Sequence, residues 1–238
     1  FPNAQTPEDR VEILRCLFDE HHFLMANFWN AVKISIKTRK FSLVPQGAFK
    51  ENALFDYLKY NADLDPNVES YHFNHLNFNE IATVFGFEKK VKAFYDSIYQ
   101  NVQYQVSHQS CGIINGIFNS KNKTRNKKIY LYVDRGRLHI LLIDDQRLIY
   151  YNQFLINQFT DYLKYINLVA KELNYNIAIN GLILWGYIRK NSAHYKELSK
   201  YYKNITFGGS PSFLTQGFMF DEIPEHHFLD VYGIYLCQ

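Results

Sequence analysis

The second half of the sequence holds the pattern that most constrains the fold. Apolar residues alternate with other residues over 129–133 and again over 138–142, and an Asp-x-Gly turn at 134–136 separates the two runs. The turn Asp-Asp-Gln at 144–146 then leads into the stretch RLIYYNQF. Alternation with a period of two is typical of strands that bury one face. The sequence therefore predicts a three-stranded antiparallel meander.

After this meander, helix and strand patterns alternate. Apolar residues spaced by three and four from Ile156 to Leu173 predict a helix, and GLILW at 181–185 predicts a buried strand. A helix capped by Ser192, a strand at NITFG (204–208) and a last helix in HHFLDVYGIYLC (226–237) follow. A meander that gives way to this alternation predicts a mixed sheet covered by helices, which is an α/β layer structure.

The first half shows a similar order without an opening meander. Thr6 is a candidate cap for a helix in which Pro7 takes the first position. AVKISIKTRKFSLVP at 31–45 is predicted as one strand region that closes at Pro45. The other predicted elements are a helix through Leu58, a strand ESYHFNHL (69–76), short helices around Ile81 and over Val91–Ile98, a strand VQYQVS (102–107) and a helix near Ile113.

Length and composition set the class of protein. A chain of 238 residues with 47% hydrophobic and 21% charged residues can form one large globular domain or two of ordinary size. No run reaches the ~18 apolar residues that a membrane span needs. The start FPNAQTPEDR has neither the basic nor the apolar region of a signal peptide. Because the three cysteines are odd in number and have no CxxC spacing, we expect no disulfide scaffold and a cytoplasmic location.

Positive charge is concentrated in one short segment. KNKTRNKK at 121–128 contains no acidic residue, although the formal net charge of the whole chain is only +3. We expect this segment to be a solvated connector between two folded parts; a contact for nucleic acid or for an acidic partner is the alternative. The basic residues concerned are Lys121, Lys123, Arg125, Lys127 and Lys128.

The order of elements resembles the ribonuclease-H-like domain of the actin-like ATPase superfamily, in which two such domains surround a nucleotide. More specifically, the blocks FSLVP, YLKYN, YYNQF leading into DYLKYI, and HHFLDVYGIYLC resemble a bacterial family of unknown function assigned to that fold. The resemblance covers nearly the whole chain. It implies two mixed-sheet domains, at 1–120 and 129–238, joined by the connector at 121–128. The first domain would lack its opening hairpin, so we expect the native protein to have an N-terminal extension.

The stretch VDRGRLHI at 133–140 stands where the superfamily has its second phosphate loop. The resemblance implies that Asp134 is the carboxylate on the metal side and Gly136 the turn glycine, with ATP and magnesium as ligands. The superfamily pattern continues with a small residue and a Ser or Thr, whereas this chain continues Arg-Leu-His. An ordinary hairpin is the alternative, because glycine tolerates the positive φ of a tight turn.

LILWGYIRKNSAHYKEL at 182–198 stands where the superfamily has its adenosine motif. Only Gly186 is present where the pattern has a pair of glycines, and the bulky Trp185 and Tyr187 flank it. Trp185 can stack on a base or fill the core. In the last helix, Gly233 matches a position where a small residue lets two helices approach, or it is an ordinary packing glycine.

Two further groups of residues are candidates for functional sites. His21, His22, His226 and His227 lie beside Glu20 and Glu225, but adjacent histidines on a helix point about 100° apart and no HExxH occurs. We therefore expect surface or capping histidines and no metal site. Cys111 begins a helix pattern, and it is expected to be inert because no histidine can be paired with it.

These features favour an actin-like protein that has lost ATP hydrolysis and acts as a cytoplasmic interaction or assembly module with a protein partner. No catalytic residue is assigned, and enzyme activity is left open. The first alternative is an ATP-binding conformational switch that uses Asp134, Gly136 and Gly186. The second is a nucleic-acid-associated factor that uses the basic connector.

Overall fold

The computed structural model describes residues 6–26, 28–76, 80–120, 126–215 and 217–237. Within these, the chain forms two compact units. The first unit takes its described residues from Phe1–Leu76, Glu80–Cys111 and Cys237–Gln238, and the second takes them from Gly112–Leu236. The chain thus leaves the first unit inside one helix and returns to it at Cys237. The domain boundaries inferred from the sequence, at 120 and 129, stay a prediction.

The second unit is built on a five-stranded mixed sheet with the order β10-β9-β6-β7-β8. Strands β6, β7 and β8 pair antiparallel, as the meander prediction required, while β9 joins β6 in parallel and β10 joins β9 in parallel. The strand bounds are β6 Lys128–Asp134, β7 Arg137–Asp144, β8 Arg147–Leu155, β9 Leu182–Gly186 and β10 Ile205–Phe207. The sheet order confirms the predicted α/β layer structure.

Strand alternation divides the side chains of this sheet between two faces. On one face Ile129, Leu131 and Val133 join a core that also contains Tyr162 and Ile166 of the following helix. This helix has a capping box in which Gln158 and Asp161 bond each other's backbone N–H groups. The helices that lie wholly within the second unit are α5 Phe159–Glu172, α6 Ile177–Asn180, α7 Ala193–Tyr201 and α8 Leu229–Gly233. The last of these is shorter than predicted, because a 3-10 turn replaces it over Ile234–Leu236.

The first unit repeats the later part of this order. Its helix α1 starts as predicted, since Thr6 Oγ1 accepts from the Asp9 N–H at 3.1 Å and Asp9 Oδ2 accepts from the Thr6 N–H at 2.9 Å. Strands β1 and β5 pair in parallel and form a two-stranded sheet. The elements are α1 Pro7–Glu20, β1 Ala31–Ile36, α3 Lys89–Ile98, β5 Gln103–His108 and α4 Gln109–Phe118, the last of which crosses into the second unit.

An antiparallel sheet is inserted between β1 and α3, and here two sequence predictions were wrong. The region 31–45 is two strands in different sheets, because β1 pairs with β5 and β2 pairs with β4. The segment that begins at Ile81 is a strand and not a helix, since β4 lies between β2 and β3 and pairs with both. The inserted elements are β2 Phe41–Pro45, α2 Leu54–Leu58, β3 Glu69–Leu76 and β4 Ile81–Glu88.

A side-chain amide connects the inserted sheet to β5. Asn74 on β3 is 2% exposed, its Nδ2 donates to Val106 O at 3.2 Å, and its Oδ1 accepts from the His108 N–H at 3.0 Å. The amide thereby bonds the β5 backbone as a neighbouring strand would. His108 in turn caps the start of α4, because its Nδ1 accepts from the Ser110 N–H at 3.2 Å. This local network gives hydrogen-bond partners to the buried amide of Asn74 and to the ring of His108.

Glycines bring α8 into direct backbone contact with α4 in the second unit. A Cβ atom on Gly233 would lie 1.9 Å from Gly112 O, and one on Gly112 would lie 2.3 Å from Asp230 O. A Cβ on Gly116 would lie 2.7 Å from Leu229 Cγ. No side chain fits between these backbones. The interpretation of Gly233 as a residue that lets two helices approach is confirmed.

The cysteines differ from the sequence expectation. Cys111 and Cys237 form a disulfide with a Cα–Cα distance of 6.2 Å, and both are fully buried. Their separation of 126 residues hides the pairing from any spacing rule. Cys16 is free and exposed. The sequence argued against a disulfide scaffold and so did not predict this pairing, because the fold brings together two cysteines that the chain keeps far apart.

Replacing Gly233 with Ala should destabilise the protein. The added methyl group must separate two packed backbones, and overpacking of this kind costs about 1–3 kcal/mol, which exceeds the gain in helix propensity. Urea unfolding measures the change. Gly47→Ala is the control, since nothing lies within 4 Å of a Cβ there, and its effect should stay within about 0.5 kcal/mol. Equal stabilities for the two variants would contradict the close approach.

Candidate functional site

Asp134 and Gly136 lie at the end of β6, where the chain turns into β7. Asp134 in β6 lies opposite Arg137 in β7 in the strand register. Gly136 in the turn has φ +77°, which a residue with a side chain rarely adopts. Gly136 O accepts from the Ile156 N–H at 2.8 Å, so the turn is also joined to the end of β8. Asp134 is only 3% exposed. The predicted phosphate loop is thus a tight hairpin whose carboxylate residue is buried.

Gly186 ends β9 beside this hairpin. Its register partner in β6 is Val133, the residue before Asp134. Gly186 has φ +91°, and a Cβ atom on it would lie 2.1 Å from Val133 O. Its N–H donates to His226 O at 2.9 Å. The structure therefore brings the three predicted nucleotide residues to one end of the sheet, and it uses Gly186 for contact between backbones.

Trp185 occupies the space beside Gly186. Its side chain is 1% exposed, and a Cβ atom on Gly208 would lie 1.8 Å from Trp185 Cε2. The indole ring thus packs directly on the backbone at Gly208, after β10. Trp185 Nε1 is buried without a hydrogen-bond partner among the described residues. Of the two interpretations of this residue, the structure supports the core residue.

A polar network lies on the sheet face that carries Asp134. The hydroxyl of Tyr132, two residues earlier in β6, donates to Asp230 Oδ1 of α8, and both residues are buried. Burial and the nearby Asp230 carboxylate raise the pKa of Tyr132 far above its ordinary value. On the adjacent strand, His139 Nδ1 and the Tyr151 hydroxyl share a hydrogen bond of 2.8 Å. Sequence reasoning missed this network, because its members lie up to 98 residues apart.

His226 and His227 are buried, contrary to the expectation of surface or capping histidines. His226 Nε2 donates to Ile188 O at 2.6 Å, and its ring lies 4.2 Å from that of Phe207. Burial lowers the pKa of His226 although this hydrogen bond acts in the other direction. Burial likewise lowers the pKa of His227. The pair packs beneath the end of β9, whereas His21 and His22 of the first unit are exposed.

The candidate basic contact is only partly described. Lys121, Lys123 and Arg125 lie outside the described residues. Lys127 Nζ donates to Leu173 O at 3.0 Å, and Lys128, the first residue of β6, donates to Asn180 O.

Among the described residues, no group of three or more His, Cys, Asp or Glu side chains converges as a metal site would require. In the same part of the chain, no helix is long and apolar enough to cross a membrane.

The first unit exposes an aromatic cluster that sequence reasoning did not single out. This cluster, Phe23, Phe28 and Trp29, precedes β1, and its members are 72%, 64% and 41% exposed. Ring centroids lie 6.2 Å apart for Phe23 and Phe28 and 4.6 Å apart for Phe28 and Trp29. Trp29 Nε1 donates to Phe23 O at 2.7 Å, which holds the cluster together. The run HHFLMANFWN was the available signal, since it is rich in large apolar residues outside any strand.

Solved structures with the same arrangement define the class of fold. A Bacteroides thetaiotaomicron protein with an actin-like ATPase fold and unknown function aligns with a TM-score of 0.75 and 22% identity over 96% of this chain and 81% of that chain. The PilM–PilN type IV pilus biogenesis complex aligns with a TM-score of 0.56 and 10% identity over 98% of this chain and 85% of that chain. The chain therefore has an actin-like ATPase fold, as the sequence predicted.

The family follows from the sequence itself. The family described as Protein of unknown function (DUF3822) matches residues 1–205. The chain belongs to this family. No significant match was found among curated proteins.

Replacing Tyr132 with Phe should destabilise the second unit. The change removes a hydroxyl that donates to the buried Asp230 carboxylate, and the loss of such a donor costs about 1–3 kcal/mol. Urea unfolding measures the effect. Tyr60→Phe is the matched control, because Tyr60 is 85% exposed and its change should be close to neutral. If both variants unfold at the wild-type midpoint, the hydrogen bond does not contribute to stability.

Stability should fall as the pH is lowered below about 6.5. The unfolded chain protonates its histidines near that pH, whereas the folded chain keeps His226 and His227 neutral at lower pH because their pKa values are lowered. The contribution of these two neutral histidines to the free energy of unfolding is thus fully present above pH ~6.5, and it is lost progressively as the pH falls below that value. Unfolding at pH 7.5 and 5.5 measures the slope. His226→Gln should make the slope shallower and the exposed His21→Gln should not; equal slopes would contradict this origin.

Proposed function

We propose that this protein is a cytoplasmic interaction module built on the actin-like fold, and that it does not hydrolyse ATP. Its partner in this proposal is another protein. The observation that carries the proposal is the closed state of the second unit where the superfamily binds phosphate. Asp134 is buried there, and the Gly186 N–H already donates to His226 O.

The residues present do not fit ATP with magnesium in the described conformation. A magnesium-side carboxylate has to reach solvent or phosphate oxygens, and Asp134 is 3% exposed. A phosphate-binding backbone needs free N–H groups, and a glycine is useful where it lets the ligand approach closely. Gly186 instead contacts Val133, and Trp185 covers Gly208. These contacts support the proposal that the candidate residues serve packing within the protein and do not bind a nucleotide.

Two observations favour a protein partner. Exposed aromatic side chains such as those of the Phe23, Phe28 and Trp29 cluster are enriched at the energetic centres of protein interfaces. The structurally similar PilM is found in a complex with PilN. In contrast, Lys127 and Lys128 of the candidate basic contact donate to backbone carbonyls of this chain. For this reason we favour a protein over a nucleic acid.

Calorimetric titration with ATP and magnesium tests the nucleotide part of the proposal. We expect no saturable heat, because the phosphate-side positions are closed. Asp134→Asn is the test variant, and Asp144→Asn at the next turn of the same sheet is its control. Saturable binding that Asp134→Asn removes and Asp144→Asn retains would overturn the proposal in favour of the nucleotide switch.

Chemical cross-linking in the cells that make this protein, followed by its purification, tests whether it binds a protein partner. When the wild type is purified, we expect one other protein to be recovered with it, in an amount nearly equal to that of the wild type itself. The double variant Phe23→Ser, Phe28→Ser should lose it with unchanged stability, because both side chains are largely exposed. Ile179→Ser is the control, since Ile179 is 75% exposed but lies in the second unit. Recovery of no protein, or equal recovery with all variants, would contradict the proposal.

A further inference from the structure

The disulfide between Cys111 and Cys237 occupies a special place in the chain. Cys111 is the residue after which the chain leaves the first unit, and Cys237 is the residue at which it returns. The bond closes a loop with a sequence separation of 126 residues, and this loop contains the whole stretch Gly112–Leu236. A cross-link at these two points therefore encloses every described element of the second unit in one covalent loop.

Two other contacts hold the backbone near each cysteine independently of the bond between the sulfur atoms. Lys33 Nζ on β1 donates to Cys237 O at 2.6 Å. Gly112, which follows Cys111, lies against Gly233, which precedes Cys237 by four residues. The reduced cysteines would thus stay close to each other. Once one of them has formed a mixed disulfide with a small molecule, the high effective concentration of the other favours formation of the bond between them.

We propose that Cys111 and Cys237 form a reversible redox staple, oxidised by a small-molecule disulfide such as glutathione disulfide. One thiolate attacks a sulfur of the small disulfide, forms a mixed disulfide and releases one thiolate. The second cysteine, as its thiolate, then attacks the protein sulfur and expels the other small thiolate. The two protein thiols lose two electrons and two protons, and one small disulfide becomes two thiols.

The staple controls how easily α8 and the 3-10 turn that follows it can leave α4. In the reduced protein, this segment is held by the glycine contacts and by the Lys33 hydrogen bond. In the oxidised protein, the covalent bond removes open states from the ensemble. Both sulfur-bearing residues are 0% exposed, so exchange requires local opening and should be slower than reaction at the exposed Cys16. The inference does not depend on the proposed function.

The first experiment equilibrates the Cys16→Ser variant in mixtures of reduced and oxidised glutathione and counts free thiols by alkylation and mass spectrometry. We expect a single transition from two free thiols to none as the oxidised share rises. Two free thiols throughout would show that no staple forms. No free thiol throughout would show a permanent structural bond, and either result would overturn the proposal.

The second experiment measures amide hydrogen exchange over 229–237 under oxidising and reducing conditions. In the wild type and in Cys16→Ser, we expect exchange there to be at least about tenfold slower when oxidised, because closing a long loop disfavours open states. Cys237→Ser should show no difference between the two conditions. Equal exchange in both conditions for the wild type would overturn the role in holding α8. The outcome of this experiment does not depend on the results of the calorimetric titration or of the cross-linking experiment.

Discussion

The contact between α4 and α8 is the constraint on which the second unit depends. Because Gly112 and Gly233 have no side chains, the two backbones meet directly, and α8 can lie across the face of the sheet opposite the α5 core. Asp230 lies in the same short helix as Gly233, and it meets the hydroxyl of Tyr132 on β6. A larger residue at the crossing would move this carboxylate away from its buried donor. One steric fact therefore sets both the packing and the electrostatics of this face.

The same face explains why the candidate nucleotide residues are closed. The side chains of Asp134 and Tyr132 lie on the same side of β6, because they are two residues apart in a strand, and α8 covers that side. Gly186, Trp185 and His226 close the end of the neighbouring strand through backbone and ring contacts. The sheet thus has the actin-like fold while the end that carries these candidate residues is part of the core, which is consistent with the rule that function belongs to sites and not to folds.

Several elements could be predicted from local pattern alone. The meander has clear period-two alternation, α1 has a capping residue and a proline at the expected positions, and α5 has an unbroken apolar stripe. The segment at Ile81 could not be assigned in this way, because a short apolar run fits a buried strand as well as a helix. Its state is decided by β2 and β3, which pair with β4 on both sides.

The candidate site shows the same division. The sequence by itself determined the meander, the hairpin at Asp134 and Gly136, and the need for glycine at position 136, since these depend on alternation, turn chemistry and φ. Only the tertiary structure decided that His226 and His227 are buried, that Cys111 meets Cys237, and that Asp230 reaches Tyr132. These contacts join residues far apart in the chain, and their existence depends on helix packing that no local periodicity encodes.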